Sequence, residues 1–167
     1  MQKRFLESKK GQAQDLLIYG IIIFILGIVI LISFKLITDI NTQIQDNDNM
    51  GATAKASVNK FKNNFATIFD AVYVLAVLLF SILMIVSVFL IDTHPIFFAL
   101  SLPLFLAVLF VNVVLANALD DIGNNSVFAT LYDQLNMMQF IASHWIALLS
   151  IVGFITLIVF YSKRASG

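Results

Sequence analysis

Polar side chains that could do chemistry are few in this chain, and three of them fall in or beside long apolar runs: Asp70, Asn112 and Asn117. A carboxylate and an amide placed deep in a membrane could hold a proton or a cation. If the two runs that flank residues 92–95 fold back on each other, Asp70 lies opposite Asn117. The same pairing puts Asn112 near residues 75–76. The simpler interpretation, which we favour, is that these groups form hydrogen bonds between helices, each worth about 0.6 kcal/mol.

A four-residue polar break separates those two runs, and it consists of Asp92, Thr93, His94 and Pro95. An aspartate and a histidine at this spacing could bind a metal ion or sense pH. More often such a turn caps the next helix, with a proline in the first helical turn and a polar residue before it. We favour capping, and we interpret His144 likewise as an interfacial residue rather than as a ligand.

Motifs of known catalytic and cofactor sites are missing from the sequence. It contains no His-x-x-x-His pair, no glycine-rich phosphate loop and no Gly-x-Ser-x-Gly. Because the chain has no cysteine, disulfides, thiolate metal sites and cysteine nucleophiles are excluded. We therefore predict no catalytic residue, no cofactor and no metal, and a chain that is not an enzyme.

Composition assigns the chain to the membrane class. Of its 167 residues, 60% are hydrophobic and 12% are charged, whereas a soluble domain has about 45–50% and about 25%. Four apolar runs are long enough to cross a hydrocarbon core of about 30 Å as helices. They cover residues 16–34, 70–91, 96–119 and 140–160. We predict an all-α, polytopic integral membrane protein in which residues 1–167 form one domain with four transmembrane helices.

Residues 35–67 keep the helical spacing of apolar residues on both sides of a break at residues 46–51. Two apolar stripes result, and they consist of Phe34, Ile37, Ile40 and Ile44, then Val58, Phe61, Phe65 and Ile68. We predict an extended helical hairpin outside the membrane, between spans one and two, whose stripes pack on each other. A charge at Phe61 would then destabilise the hairpin.

A second extramembrane loop is predicted at residues 119–139, on the same side as the hairpin. Gly123 is suited to end the third span in a left-handed conformation, and Ser126 is suited to cap a short helix after it. Pro103 lies inside the third span, where a proline kinks a helix in lipid.

Small residues recur on two spans and indicate close helix packing. They are Gly20 and Gly27 on the first span, and Ser143, Ala147 and Ser150 on the fourth. Their contacts lie either within the chain, which we favour, or between copies of it. Five other residues are typical anchors of span ends at the interface, namely Lys35, Trp145, Tyr161, Lys163 and Arg164.

Basic residues near the spans predict the orientation of the chain. Six lie on the side of the two termini, and four lie on the side of the two larger loops. The positive-inside rule then places both termini on the cytoplasmic or interior side.

Two stretches resemble known proteins. Residues 9–13, Lys-Lys-Gly-Gln-Ala, followed by an apolar run, resemble the class III, pilin-like signal of archaeal surface proteins, which a dedicated peptidase cuts between Gly and Gln. That signal has an acidic residue at the fifth position after the cut, where this chain has Leu16, and Asp15 stands one position earlier. Residues 69–161 follow the order Phe-Asp, span, Asp-Thr-His-Pro-x-Phe-Phe, span, Asn-Ala, short loop, span, Tyr-x-Lys. This order resembles small four-span proteins of archaeal and bacterial viruses with membrane-containing virions, which implies a structural component of a viral membrane.

These observations favour a structural or assembly protein, either of a virion membrane or of another membrane-embedded assembly in the host cell. The zero formal net charge gives no indication of nucleic acid as a partner. The expected partners are the lipid bilayer, other membrane or capsid proteins, and further copies of the chain. The alternative is a small channel, a holin-like pore or a transporter subunit. Such a protein needs a polar stripe along its spans, and Asn112 with scattered serines forms a sparse one.

Overall fold

Apolar runs of this length form helices in a membrane, because a helix satisfies its backbone hydrogen bonds within its own segment. The computed structural model describes the backbone of residues 11–90 and 95–165, and the side chains of residues 17–86, 103, 105–159 and 162. This part of the chain contains α1 (Gly11–Gln45), α2 (Ala52–Leu90), α3 (Pro95–Gly123), α4 (Ala129–Tyr132), α5 (Asn136–Ser143) and α6 (Trp145–Ala165). The all-α prediction is confirmed for the described residues.

Three helices contain a segment that is long and apolar enough to cross a membrane, and these segments are Leu17–Gln45, Ala52–Val86 and Phe105–Gly123. The predicted fourth span is not one straight helix, because α5 and α6 meet at an angle of 67°. Within the residues whose side chains are described, Asn136–Ser143 and Trp145–Val159 reach the length of a span only as a bent pair. The protein is therefore a helical membrane protein whose described residues contain three candidate spans, or four if the bent pair also crosses.

Local hydrogen bonds explain the bend at His144. The Ser143 hydroxyl donates to the carbonyl oxygens of Gln139 and Phe140, at 2.9 and 3.0 Å. Nδ1 of His144 lies 2.9 Å from the same Phe140 oxygen. Side-chain bonds of this kind compete with the backbone bonds of a continuous helix. A new helix then begins, with the N–H of Leu148 bonded to the His144 oxygen at 3.0 Å.

Around the bundle the helices follow the order α1, α2, α6, α3, so that α1 and α6 each lie between α2 and α3. The predicted direct pairing of the second and third spans is wrong for the described parts of α2 and α3, which make few contacts with each other. Instead α3 lies along α1, where the missing side chains of Gly20 and Gly27 leave room for Asn112 and Leu119. Gly20 contacts Asn112, and Gly27, seven residues later, contacts Leu119, which is seven residues after Asn112. Helices α1 and α3 are therefore parallel.

The other two long helices run in the opposite direction. Phe34 of α1 stacks on Phe65 of α2, with ring centroids 5.5 Å apart, while an earlier turn of α1 contacts a later turn of α2. Asn112 meets Trp145 and Phe105 meets Gly153, so α6 is antiparallel to α3. The N-terminal end of α1 and the C-terminal end of α6 therefore lie at one end of the bundle. The turn between α1 and α2 lies at the other end.

Two reciprocal hydrogen bonds close the turn between α1 and α2. Nε2 of Gln45 donates to the Lys55 carbonyl oxygen at 2.9 Å, and Nζ of Lys55 donates to the Gln45 carbonyl oxygen at 2.7 Å. Leu119 packs on Gly27, and α3 ends four residues after Leu119, at Gly123. Because α1 and α3 are parallel, the end of α3 lies level with residue 31 of α1. Helix α1 continues from there to Gln45, so the α1–α2 hairpin extends about 20 Å beyond α3.

The apolar stripes of this hairpin pack on each other only in part. Phe34 and Phe65 are buried, whereas Ile40, Phe61 and Ile68 are 51%, 58% and 55% exposed. The prediction that the two stripes pack on each other is therefore wrong for these three residues. Two helices can bury only the faces that they turn toward each other, and these three residues lie on the outer faces.

Phe65→Asp is expected to lower the free energy of unfolding by about 3 kcal/mol or more, because it puts an unpaired charge into the ring stack with Phe34 and Phe69. Phe61→Asp should change it by less than about 1 kcal/mol, since that ring is already exposed. This reverses the expectation stated above for Phe61. Denaturant titration in detergent micelles, followed by circular dichroism, measures both. Equal losses would show that the outer stripe is packed after all.

The turn after α3 is closed by an asparagine rather than by Gly123 or Ser126. Gly123 is not in the left-handed conformation. It lies against the ring of Tyr132, where a side chain would not fit. Asn125 closes the turn, because its side-chain oxygen accepts from the N–H of Val127 at 3.1 Å and its carbonyl oxygen accepts from the N–H of Phe128 at 2.8 Å, while α4 itself has no side-chain cap. Both predicted caps are therefore wrong, and the glycine serves close approach instead.

Candidate functional site

Asn112, in the middle of α3, has no exposed surface. Its side-chain N–H donates to the Val108 carbonyl oxygen at 2.9 Å, and its Oδ1 accepts from Nε1 of Trp145 at 3.4 Å. The amide fits against α1 because position 20 is glycine, and a β-carbon there would overlap Oδ1. The predicted contact with residues 75–76 is therefore wrong. Asn112 instead joins α3 to α1 and α6.

Trp145, the first residue of α6, lies inside the bundle and not at the interface as predicted. It is 5% exposed, and its ring centroid lies 5.7 Å from that of Tyr19. The Tyr19 hydroxyl donates to the Val77 carbonyl oxygen of α2 at 3.1 Å. A buried indole N–H needs an acceptor, which Asn112 supplies. Four helices thus meet through one group of side chains, here called the central cluster: Tyr19, Asn112 and Trp145.

Asp70 caps helix α5 from a distant part of the chain. Its two carboxylate oxygens accept from the backbone N–H groups of Met137 and Met138, at 2.9 and 2.7 Å. The first N–H groups of a helix have no partner within it, and a carboxylate there is also favoured by the helix dipole. The predicted position opposite Asn117 is wrong, since Asn117 is exposed. Asp70 therefore ties α2 to the bent pair α5–α6.

A buried tyrosine holds the short helix α4 against the end of α3. The side chain of Tyr132 has no exposed surface, and its hydroxyl donates to Oδ1 of Asp120 at 3.1 Å. Burial, and then the charge of Asp120, raise the pKa of Tyr132, so the phenol stays protonated and remains a donor. The sequence carries no local signal of this contact, because the two residues meet only through the turn at residues 124–128.

The predicted small-residue positions divide into two groups. Gly20 and Gly27 receive side chains of α3 and lie in contacts within the chain. Ser143, Ala147 and Ser150 do not share one helix face, because the bend puts the first on α5 and the others on α6. Ser143 and Ala147 are exposed. The predicted stripe on the fourth span is therefore wrong.

Of the remaining predicted residues, those that the structure describes lie apart from the central cluster. Lys35 forms an ion pair with Asp39, one turn further along α1. Pro95 is the first residue of α3, where proline is favoured, and the helix continues through Pro103. Outside the described part of the chain lie Asp92, Thr93 and His94, and the side chains of Tyr161, Lys163 and Arg164.

Comparisons and ligand chemistry add little to this geometry. The chain matches no protein-family model, no curated protein and no solved structure. Among the residues whose side chains are described, no three His, Asp or Glu side chains come together in a way that could hold a metal ion. Asn112, Tyr19 and Asp70 each bond to groups of the chain itself. The chemistry of the central cluster and of the Asp70 cap is therefore that of holding helices together.

Proposed function

We propose that this protein is a structural or assembly component of a membrane, and that this membrane is that of a virion. It occupies the bilayer in many copies and binds neighbouring membrane or capsid proteins through its parts outside the bilayer. The resemblance of residues 69–161 to small four-span viral proteins favours the virion. The arrangement of the described residues supports the structural role.

The observation that carries the proposal is the α1–α2 hairpin. It extends about 20 Å beyond α3. Its outer turns combine exposed polar residues with the exposed apolar side chains of Ile40 and Phe61. The candidate spans Leu17–Gln45 and Ala52–Val86 are longer than the about 20 residues that a span needs, so their ends at the turn can extend out of the bilayer. Exposed apolar side chains rimmed by polar ones mark protein interaction sites there. Lys60 and Lys62, which flank Phe61, favour a partner with an acidic surface.

Polar groups within the spans support a structural role rather than a conducting one. A proton or ion path needs ionisable or polar side chains that face a cavity in the membrane interior. Asn112 is bonded to Val108 and Trp145, and Asp70 is bonded to the start of α5. These groups stabilise the bundle and are not free to line a path.

Both termini are proposed to face the cytoplasmic or interior side. This is supported by the positions of the N-terminal end of α1 and the C-terminal end of α6, which lie at the same end of the bundle, opposite the turn of the hairpin. The basic residues of the chain are more numerous near that end. The hairpin and the turn after α3 would then face the other side together.

Reconstitution of the purified protein in liposomes tests the structural role against the pore alternative. We expect proton, potassium and small-dye flux no greater than that of protein-free vesicles. Flux well above that level would overturn the structural role in favour of a channel or pore. Because the chain has no cysteine, single cysteines at Asn49 and Ser166 report in the same vesicles whether the hairpin and residue 166 label from opposite faces.

Phe61→Ala tests the docking role of the hairpin in the source particle. We expect a several-fold fall in the amount of the protein incorporated, measured by quantitative mass spectrometry of purified particles. Ile82→Ala serves as the control, because Ile82 is 56% exposed, against 58% for Phe61, but lies beside Ser81 at the level of Tyr19, far from the turn of the hairpin. Equal incorporation of both variants would contradict docking through the hairpin. Absence of the wild-type protein from the particles would contradict the proposal that it resides in a virion membrane.

A further inference from the structure

A groove of about 150 Å³ lies between α2 and α6, beside the central cluster. Residues of three helices form its walls, among them Tyr19, Val77, Ser81, Trp145, Leu149 and Val152. An apolar cavity of about 150 Å³ inside a soluble protein stays dry and binds benzene or xenon. The groove is therefore large enough to hold several carbon atoms.

The polar groups at the groove already have partners in the chain. The hydroxyls of Tyr19 and Ser81 both donate to the Val77 carbonyl oxygen, at 3.1 and 2.7 Å. A buried water needs two to four polar partners, and these two donors are occupied. The other walls are aliphatic side chains and the ring of Trp145. The groove therefore suits a hydrocarbon occupant rather than water or an ion.

The mouth of the groove opens on the outer faces of α2 and α6. Leu78 and Ile151 flank it, and they are 55% and 57% exposed. The α2 residues that line the groove, Val77 to Ser81, lie in the middle of the apolar run at residues 70–91. At that depth the medium around the mouth is the hydrocarbon core of the bilayer.

We propose that this groove binds a single acyl chain of a membrane lipid. An empty groove would leave its lining atoms without dispersion contacts on one side. A lipid acyl chain is a flexible apolar chain that reaches this depth from either leaflet, and it fills the space that α2 and α6 leave open. The site does not depend on the docking role of the hairpin, because the two lie in different parts of the molecule.

Trp145 is the only tryptophan of the chain and forms a wall of the groove, so its fluorescence reports the occupant. We expect the full chain in phosphatidylcholine vesicles to lose emission as lipids brominated in the middle of their acyl chains replace the ordinary lipid. The reason is that bromine quenches tryptophan on contact. Acrylamide, a water-soluble quencher, should leave the emission unchanged. Unchanged emission in brominated lipid, or quenching by acrylamide, would overturn the proposal.

Filling the groove should remove the quenching. Val152→Phe places a ring in it, whereas Val114→Phe makes the same change at a 53% exposed position of α3 and should keep the wild-type response. Ser81→Leu fills the groove from α2 and keeps the test valid if the first variant fails to fold, as judged by circular dichroism. Equal quenching in filled and control variants would overturn the proposal. Quenching that weakens as the protein-to-lipid ratio rises would also overturn it, because a second copy would then cover the groove.

Discussion

Gly20→Ala is expected to lower the free energy of unfolding by about 3 kcal/mol or more, a large loss for one added methyl group. The new β-carbon would overlap Oδ1 of Asn112, whose fully buried amide is bonded to Val108 and Trp145. Either α1 and α3 separate, or Asn112 turns away and leaves the indole N–H of Trp145 without its acceptor. Denaturant titration in detergent micelles, followed by circular dichroism, measures the loss.

Two comparisons separate this contact from a general effect of alanine. Gly51→Ala adds the same methyl group where no atom lies within 4 Å, and it should change the stability by about 1 kcal/mol or less. In an Asn112→Ala background, Gly20→Ala should cost much less, because the overlapping atoms are gone. We expect a coupling energy of roughly 1–3 kcal/mol in this double-mutant cycle. Additive losses would show that the two residues do not meet.

The three long helices could be predicted, because an apolar run in lipid must satisfy its own backbone. The helix break also has a local signal, since clustered aspartates and asparagines compete with helical hydrogen bonds. Helix α1 ends at Gln45 and α2 begins at Ala52, on either side of residues 46–51. The bend has a signal of the same kind that the sequence analysis did not use. Ser143 and His144 are adjacent polar residues in an apolar run, and both reach the carbonyl oxygen of Phe140.

The neighbours of each helix could not be predicted, because the lipid outside is as apolar as the interior of the bundle. In water an apolar stripe identifies the buried face of a helix, but the spans here are apolar on all faces. Gly20 and Gly27 mark one face of α1 without showing which helix fills it. Trp145 is typical of an interface by residue type, and its burial depends on an acceptor 33 residues earlier in the chain.

The cap of α5 is hidden from local sequence reasoning for a similar reason. A helix cap normally comes from the residue just before the helix, and that residue is Leu135, whose side chain cannot accept a hydrogen bond. The acceptors come instead from Asp70, which is 67 and 68 residues away from its two partners. A carboxylate at the start of an apolar run predicts a polar contact but not the group that it contacts.

Asp70→Leu is expected to release the first turn of α5 from α2. The substitution leaves the N–H groups of Met137 and Met138 without acceptors at a position where Asp70 is buried. The loss of these hydrogen bonds should destabilise the first turn of α5 by about 2–3 kcal/mol. Amide hydrogen exchange at these two residues should therefore become faster by about tenfold or more. Asp70→Asn keeps one acceptor oxygen and should give a smaller increase. Hydrogen-exchange mass spectrometry in micelles resolves the difference.

Asp121→Leu provides the comparison, since Asp121 is an exposed carboxylate at the same end of the bundle and should leave exchange in α5 unchanged. Faster exchange confined to α5 in Asp70→Leu would show that the carboxylate holds the bent pair in place. A uniform increase along the chain would show that Asp70 supports the whole bundle. Wild-type exchange would contradict the cap, and α5 would then be held chiefly by apolar packing, such as that of Met138 against Gly27.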